Sequence, residues 1–356
     1  MLRGGIFINF VTKEDLRCML ETNQSKTAHN NESNKNFERM QQVLTELVTG
    51  ESIVSKIEIG VEDMIRKLSF KMNADLSLIP METWKKIKEL CWSVRKYDAL
   101  NCLYPMTDLS INDIVNKTLK LYKNADKGFY TMAKSLLEDK RTNLYINDLK
   151  IDSYYRCALL NCDFLACSLD GYHAYTGFIH ELQHGLNFEM FPYMDLLYNE
   201  LGPIFFELLM CDKLNDGDLY PGLYGERFED NNYVMESVFD YVGVLEKFDY
   251  KGRDLTAENI GVILGVDSEE ELRQIYNKYY CDDFIESVGY IISFMQAIEI
   301  RATYYNSRKR GIIQLKDTIN NPDINLDYDS LIWHYEDFVD EIEQSRVRSY
   351  TKKKRT

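Results

Sequence analysis

The chain has 356 residues, enough for one large domain or two ordinary ones, and 45% of them are hydrophobic, so a substantial core can be buried. A formal net charge of −15 repels phosphate backbones, which argues against nucleic acid as a partner. The eight cysteines form no C-x-x-C pair and mostly lie among apolar residues, as reduced core cysteines do, so a reducing, cytoplasmic setting is expected.

The first residues show no signal-type apolar run with a small-residue cleavage site. The longest later apolar stretch, 157–169, is interrupted by Asn161 and Asp163 and is too short to span a bilayer, so no membrane partner is expected. Composition carries no signal for an oligomeric state.

Taken in order, residues 1–36 read as an N-terminal segment ending in a flexible linker. The stretch 22–36 is polar, Asn-rich and without periodicity, and His29 lies in it as an exposed loop histidine. From residue 37 the apolar spacing is helical. Segments 37–47, 54–71 and 82–94 each repeat at three and four residues. Pro105 breaks the run. Ser110 followed by Asp113 reads as an N-cap with its acid at the third helical position, opening a helix through Tyr122. Another helix covers 129–137, and 143–151 looks extended. The most strand-like stretch is 154–169, about two strand lengths, closed by the turn signal Asp170-Gly171. Beyond it helices dominate: 172–189, 196–214, 231–248, 257–264, 269–279, 282–305 and 328–348. The expected architecture is mainly α, one helical domain over 37–350 with a small β element before the helix at 172. A basic tail follows at 351–356.

That helix carries His180, Glu181 and His184 in the order H-E-x-x-H. Residues four apart share a helix face, so both imidazoles can hold one Zn²⁺, and Glu181 can reach a water on the metal as general base. A catalytic zinc site needs a third protein ligand. Glu189 lies one and a half turns past His184 and points away. Asp195 is explained as a helix N-cap. Glu200 and Glu207 are seven residues apart on one face of the expected helix 196–214, separated by apolar residues that leave a carboxylate wanting a partner. Glu200 is the favoured third ligand. Glu207 is placed behind it, holding a ligand or the fold.

The stretch Glu200-Leu-Gly-Pro-Ile-Phe-Phe-Glu207 resembles the E-x-A-S-x-x-x-E signature that follows H-E-x-G-H in the thimet oligopeptidase and oligoendopeptidase family of zinc metallopeptidases. The likeness covers about residues 100–310, the catalytic half of that family. It includes Tyr104-Pro-Met-Thr-Asp-Leu-Ser, Phe129-Tyr-Thr-Met-Ala-Lys134 and Gly289-Tyr290-Ile-Ile-Ser-Phe294. It implies a multi-helix zincin-like metallopeptidase domain of the gluzincin type, with one Zn²⁺ on His180, His184 and Glu200. It also implies a peptide substrate, and Tyr290 as donor to the oxyanion; Tyr279 and Tyr280 are alternatives that the sequence does not rank.

Three departures stand out. Gln183 occupies the family's Gly position, with Gly185 following the motif instead. The gap from His184 to Glu200 is shorter than usual. No histidine lies between His184 and His334, so the family's late catalytic histidine has no counterpart. His173 and His334 read as surface or core residues. The missing histidine, with the family's long N-terminal helical region mostly without a counterpart, supports a second reading, a non-catalytic or degenerate zinc-binding module that binds peptides or regulates.

Overall fold

The computed structural model describes residues 9–18, 44–45, 47–48, 60–95, 109–147, 153–157, 162–169, 173–191, 194, 196–214, 222–281, 284–321 and 326–353. The linker 22–36, most of the expected helix 37–47, Pro105, the Asp170-Gly171 turn and Asp195 lie outside them. In chain order the elements are β1 (Asn9–Phe10), α1 (Val61–Leu78), α2 (Met81–Ser93), α3 (Ile111–Ala125) and α4 (Lys127–Glu138). Then come β2 (Thr142–Asn147), β3 (Ser153–Cys157), β4 (Cys162–Ser168) and α5 (His173–Met190). A 3₁₀ turn (Leu196–Tyr198) leads to α6 (Leu201–Leu214), α7 (Gly222–Tyr250), α8 (Ile260–Leu264), α9 (Glu269–Cys281), α10 (Phe284–Asn306), α11 (Arg308–Asn320) and α12 (Tyr328–Lys353). The chain is mainly α with a small β element ahead of the H-E-x-x-H helix.

Local chemistry explains several boundaries. α1 starts after Gly60 and runs seven residues past the expected end at 71, because Met64, Leu68, Met72 and Leu76 continue one buried face. It stops where Ile79 turns extended ahead of Pro80, as residues before proline do. The capping box at Ser110 does not form. Ser110 sits at the N-cap without a side-chain bond. Asp113 is drawn away instead, accepting from the Tyr175 hydroxyl at 2.6 Å and pairing with Lys117 at 3.0 Å. At α4 the cap is Asp126, whose carboxylate accepts from the Gly128 and Phe129 N–H groups at 2.8 and 3.1 Å and meets Lys316 at 3.2 Å. A cap of this kind is worth about 1 kcal/mol.

The strand-like stretch resolves into the β3–β4 hairpin, with Cys157 opposite Cys162 and Tyr154 opposite Leu165. β2 lies parallel to β4, Thr142 against Asp163 through Asn147 against Ser168. β1 adds to the far side of β2, so the sheet order is β1-β2-β4-β3 and the N-terminal segment supplies a strand.

α5 is enclosed by these parts. β3, β4 and α4 pack against it on one side, where Gly185 permits the approach: a Cβ there would fall 2.6 Å from Leu136 and 2.7 Å from the Tyr154 ring. α6 packs against the opposite face, and α10 packs against α6. Leu201 through Cys211 of α6 are all buried, so this stretch of the helix is apolar all round except at Glu207. A buried Arg301 on α10 ties this layer together, bidentate to Asp212 on α6 at 2.8 Å and reaching Glu341 on α12 at 3.1 Å.

α11 was not expected between 305 and 328. It folds sharply back along α10, and Gly311 makes the corner possible, since a Cβ there would sit 2.5 Å from the Tyr304 backbone. α12 also runs five residues beyond the expected end at 348. Among the described residues no helix is long and apolar enough to cross a membrane.

Candidate metal centre

The helical pitch brings His180 and His184 to one face of α5, with their Nε2 atoms 3.3 Å apart. Glu200 reaches both, Oε2 at 3.2 Å from His180 Nε2 and Oε1 at 3.5 Å from His184 Nε2. One ligand atom from each of the three lies within 4.8 Å of the others, the geometry of a group able to hold a metal ion. The three side chains are between 11% and 14% exposed, so the donors are largely shielded from solvent without being sealed from it.

Glu200 is not placed as the sequence suggested. The expected helix 196–214 is broken: the 3₁₀ turn ends at Tyr198, Asn199 and Glu200 form a turn, and α6 begins at Leu201. The Glu200 carbonyl accepts the first helical bond, from Ile204 N–H at 2.9 Å, so Glu200 stands at the N-cap. Pro203 falls in the first turn, where no N–H is needed for helix bonding. The break swings the Glu200 carboxylate onto the two Nε2 atoms.

Glu207 sits two turns along α6 and takes the other side of the imidazole. Its Oε2 is 3.1 Å from His180 Nδ1. A carboxylate there can accept from an Nδ1–H, the way a carboxylate orients a metal-binding histidine, which would turn Nε2 toward the cluster for a metal. Glu207 is only 6% exposed, so this partner also satisfies an otherwise costly buried acid.

Electrostatics describe a strong cation site. Burial pushes the His180 pKa down, but Glu200 and Glu207, with the nearby charge of Glu181, outweigh it and hold the imidazole at about 10. Burial works against ionisation of Glu200, and the two histidines overcome it, holding the carboxyl well below its ordinary range. Two buried carboxylates around two nearly touching imidazole nitrogens therefore favour a positive charge between them: a proton, or a metal ion in its place.

Glu181 lies half-buried on α5 beside His180. Tyr290 lies half-buried on α10, its hydroxyl oxygen out of contact with solvent. Its neighbour Gly289 rests on Leu197, where a Cβ would come within 2.9 Å of the backbone. Tyr279 packs against Tyr241 and Phe284, and Tyr280 stacks on Tyr276, so both rings have structural partners. Glu189 is exposed. His334 is half-buried on α12 with its ring against Trp333. His29 and the His173 side chain lie outside the described residues.

No protein-family model and no curated protein matches the sequence. Solved structures of peptidases are similar to the fold. One, from Bacillus anthracis str. Ames and assigned as an oligoendopeptidase F, is 12% identical with a TM-score of 0.46, over 94% of this chain and 68% of that one. Another, from Chlamydophila abortus and assigned as a peptidase, is 14% identical with a TM-score of 0.44, over 93% of this chain and 62% of that one. PZ peptidase A with an inhibitor is 12% identical with a TM-score of 0.36, over 92% and 67%. The chain thus spans about two thirds of the length of the structures it matches.

Proposed function

We propose that the chain is a zinc metallopeptidase of the oligoendopeptidase type, holding one Zn²⁺ on His180, His184 and Glu200 and hydrolysing short peptides. The observation that carries this reading is the spacing of the three donors. Ligands at zinc's usual 2.0–2.1 Å bond lengths, arranged tetrahedrally, stand roughly 3.3 Å apart. The donor separations are 3.2, 3.3 and 3.5 Å. Two imidazoles and a carboxylate are also the donor chemistry of catalytic zinc, with one position left for water.

A bound zinc would supply Lewis acidity and lower the pKa of its water toward about 7. The remaining work falls to the chain. Glu181 takes the proton as water attacks the peptide carbonyl, then delivers it to the departing amine. Glu207 keeps His180 in the tautomer that leaves Nε2 available. The resemblance gives Tyr290 the role of donor to the oxyanion, which its hydroxyl, shielded from solvent as it stands, would take by turning toward the bound substrate, and β3 offers the outer edge of the sheet to an extended peptide. The cytoplasm, as a reducing compartment, fits Cys91, a core thiol whose pKa burial pushes up to about 12.

The absent late histidine favours the second reading, a zinc-binding module that binds peptides without cleaving them. A mixed fluorogenic peptide library separates the two. The peptidase reading expects turnover that a chelator removes and added zinc restores. Zinc and peptide binding without turnover would leave the second reading standing.

A further inference from the structure

Gln183 is where the sequence departs from H-E-x-G-H, and the structure gives that departure a role. Gln183 and Asn187 lie one turn apart on α5 and are both fully buried, at 0% exposure. The Tyr122 hydroxyl, on α3, donates to Gln183 Oε1 at 3.0 Å. Gln183 Nε2 donates to Asn187 Oδ1 at 2.9 Å. Asn187 Nδ2 then donates to the Asn199 carbonyl at 3.2 Å. The chain of bonds ends on the peptide that joins Asn199 to Glu200, and the Asn199 side chain reaches Glu200 Oε1 at 3.4 Å. Gly202 leaves room for it, since a Cβ there would meet Asn187 Oδ1 at 3.0 Å and Gln183 Nε2 at 3.2 Å. The turn is gripped from α10 as well, where Ser293 donates to the Leu197 carbonyl at 3.3 Å.

Two amides in a dry core are stabilising only when satisfied, and apolar side chains of the same size would fill that space without the risk. Pro203 has no N–H to offer the Asn199 carbonyl four residues back, so a helix cannot run unbroken through 196–214, and the two amides supply the missing donor one residue before the ligand. We propose that Gln183 and Asn187 are positioning residues that hold the Asn199–Glu200 turn open, so that the Glu200 carboxylate meets the metal already aimed. The inference rests on the metal site proposed above, and its action runs through Glu200 alone.

The test is a double-mutant cycle on metal affinity, in the full chain, with zinc measured by chelator competition and cobalt(II) by its visible spectrum. Gln183→Met keeps the side-chain length and removes the amide. Alone, it should weaken zinc binding about 10–100-fold, the usual effect of losing a group that orients a ligand, and change the cobalt spectrum. In a Glu200→Ala background the same substitution should change zinc affinity no further. An equal loss in both backgrounds, or no loss in either, overturns the proposal while leaving the metal site intact. If the parent chain binds neither metal, the metal reading itself is what fails. Should Gln183→Met not fold, Tyr122→Phe removes one hydroxyl from the same chain of bonds and goes through the same cycle with the same deciding outcomes.

Discussion

Glu181→Gln should keep its zinc and lose about 10²–10⁴-fold in peptide turnover, the contribution typical of a general base. The substitution preserves size and hydrogen bonding but leaves nothing to accept the proton of the attacking water. Glu181 is not among the three donors that converge, so metal content should not fall. Its neighbour His180 loses one nearby negative charge and keeps the two that touch it, Glu200 and Glu207. The measurement is turnover of the best library peptide with zinc content determined on the same sample. Turnover within threefold of the parent would mean that another group is the base. Loss of zinc together with turnover would mean that Glu181 belongs to the ligand set.

The second large effect is on stability. Removing zinc should lower the unfolding midpoint without unfolding the chain. A ligand present at a thousand times its Kd stabilises the folded state by about 4 kcal/mol, and a chelator takes that away. The apo fold is expected to survive because the His180 imidazole lies between the two carboxylates, 3.2 Å from Glu200 and 3.1 Å from Glu207, and can hold a proton between them where the metal would be. The buried carboxylates are therefore not left facing each other. Unfolding curves with zinc and with chelator should differ in the parent chain. They should coincide in a His184→Ala variant, which lacks one donor. Coincident curves for the parent would remove the case for a tightly held metal.

The metal helix was legible because its signal is local. Two histidines four apart share a face whatever surrounds them, and a lone acid at 207 inside an apolar helix has to find a partner. The break before Glu200 has one readable cause, Pro203, which offers no N–H to the Asn199 carbonyl and is tolerated only in a first turn. The apolar run around it hides that signal, and the bonds that pin the turn, from Asn187 and Ser293, exist only once the fold brings those side chains to it. The same cause moved Asp113 off its expected cap, where Tyr175 and Lys117 claim its carboxylate. α11 was hidden because its opening residues, Arg308, Lys309 and Arg310, look like a charged loop, and only contact with α10 shows the buried face of Ile312, Leu315 and Ile319. Gln183 did carry a readable trace, an amide four residues before another on the metal helix. Its use depended on knowing that Asn199 would come within reach.

X-ray absorption at the zinc edge reads the ligand set itself. The expected result is one zinc per chain with two imidazole nitrogens and carboxylate or water oxygens at about 2.0–2.1 Å. Glu200→Ala should remove an oxygen from that shell and weaken binding, with His180 and His184 still holding the ion. A sulfur neighbour at about 2.3 Å, an imidazole count other than two, or no bound zinc would contradict it.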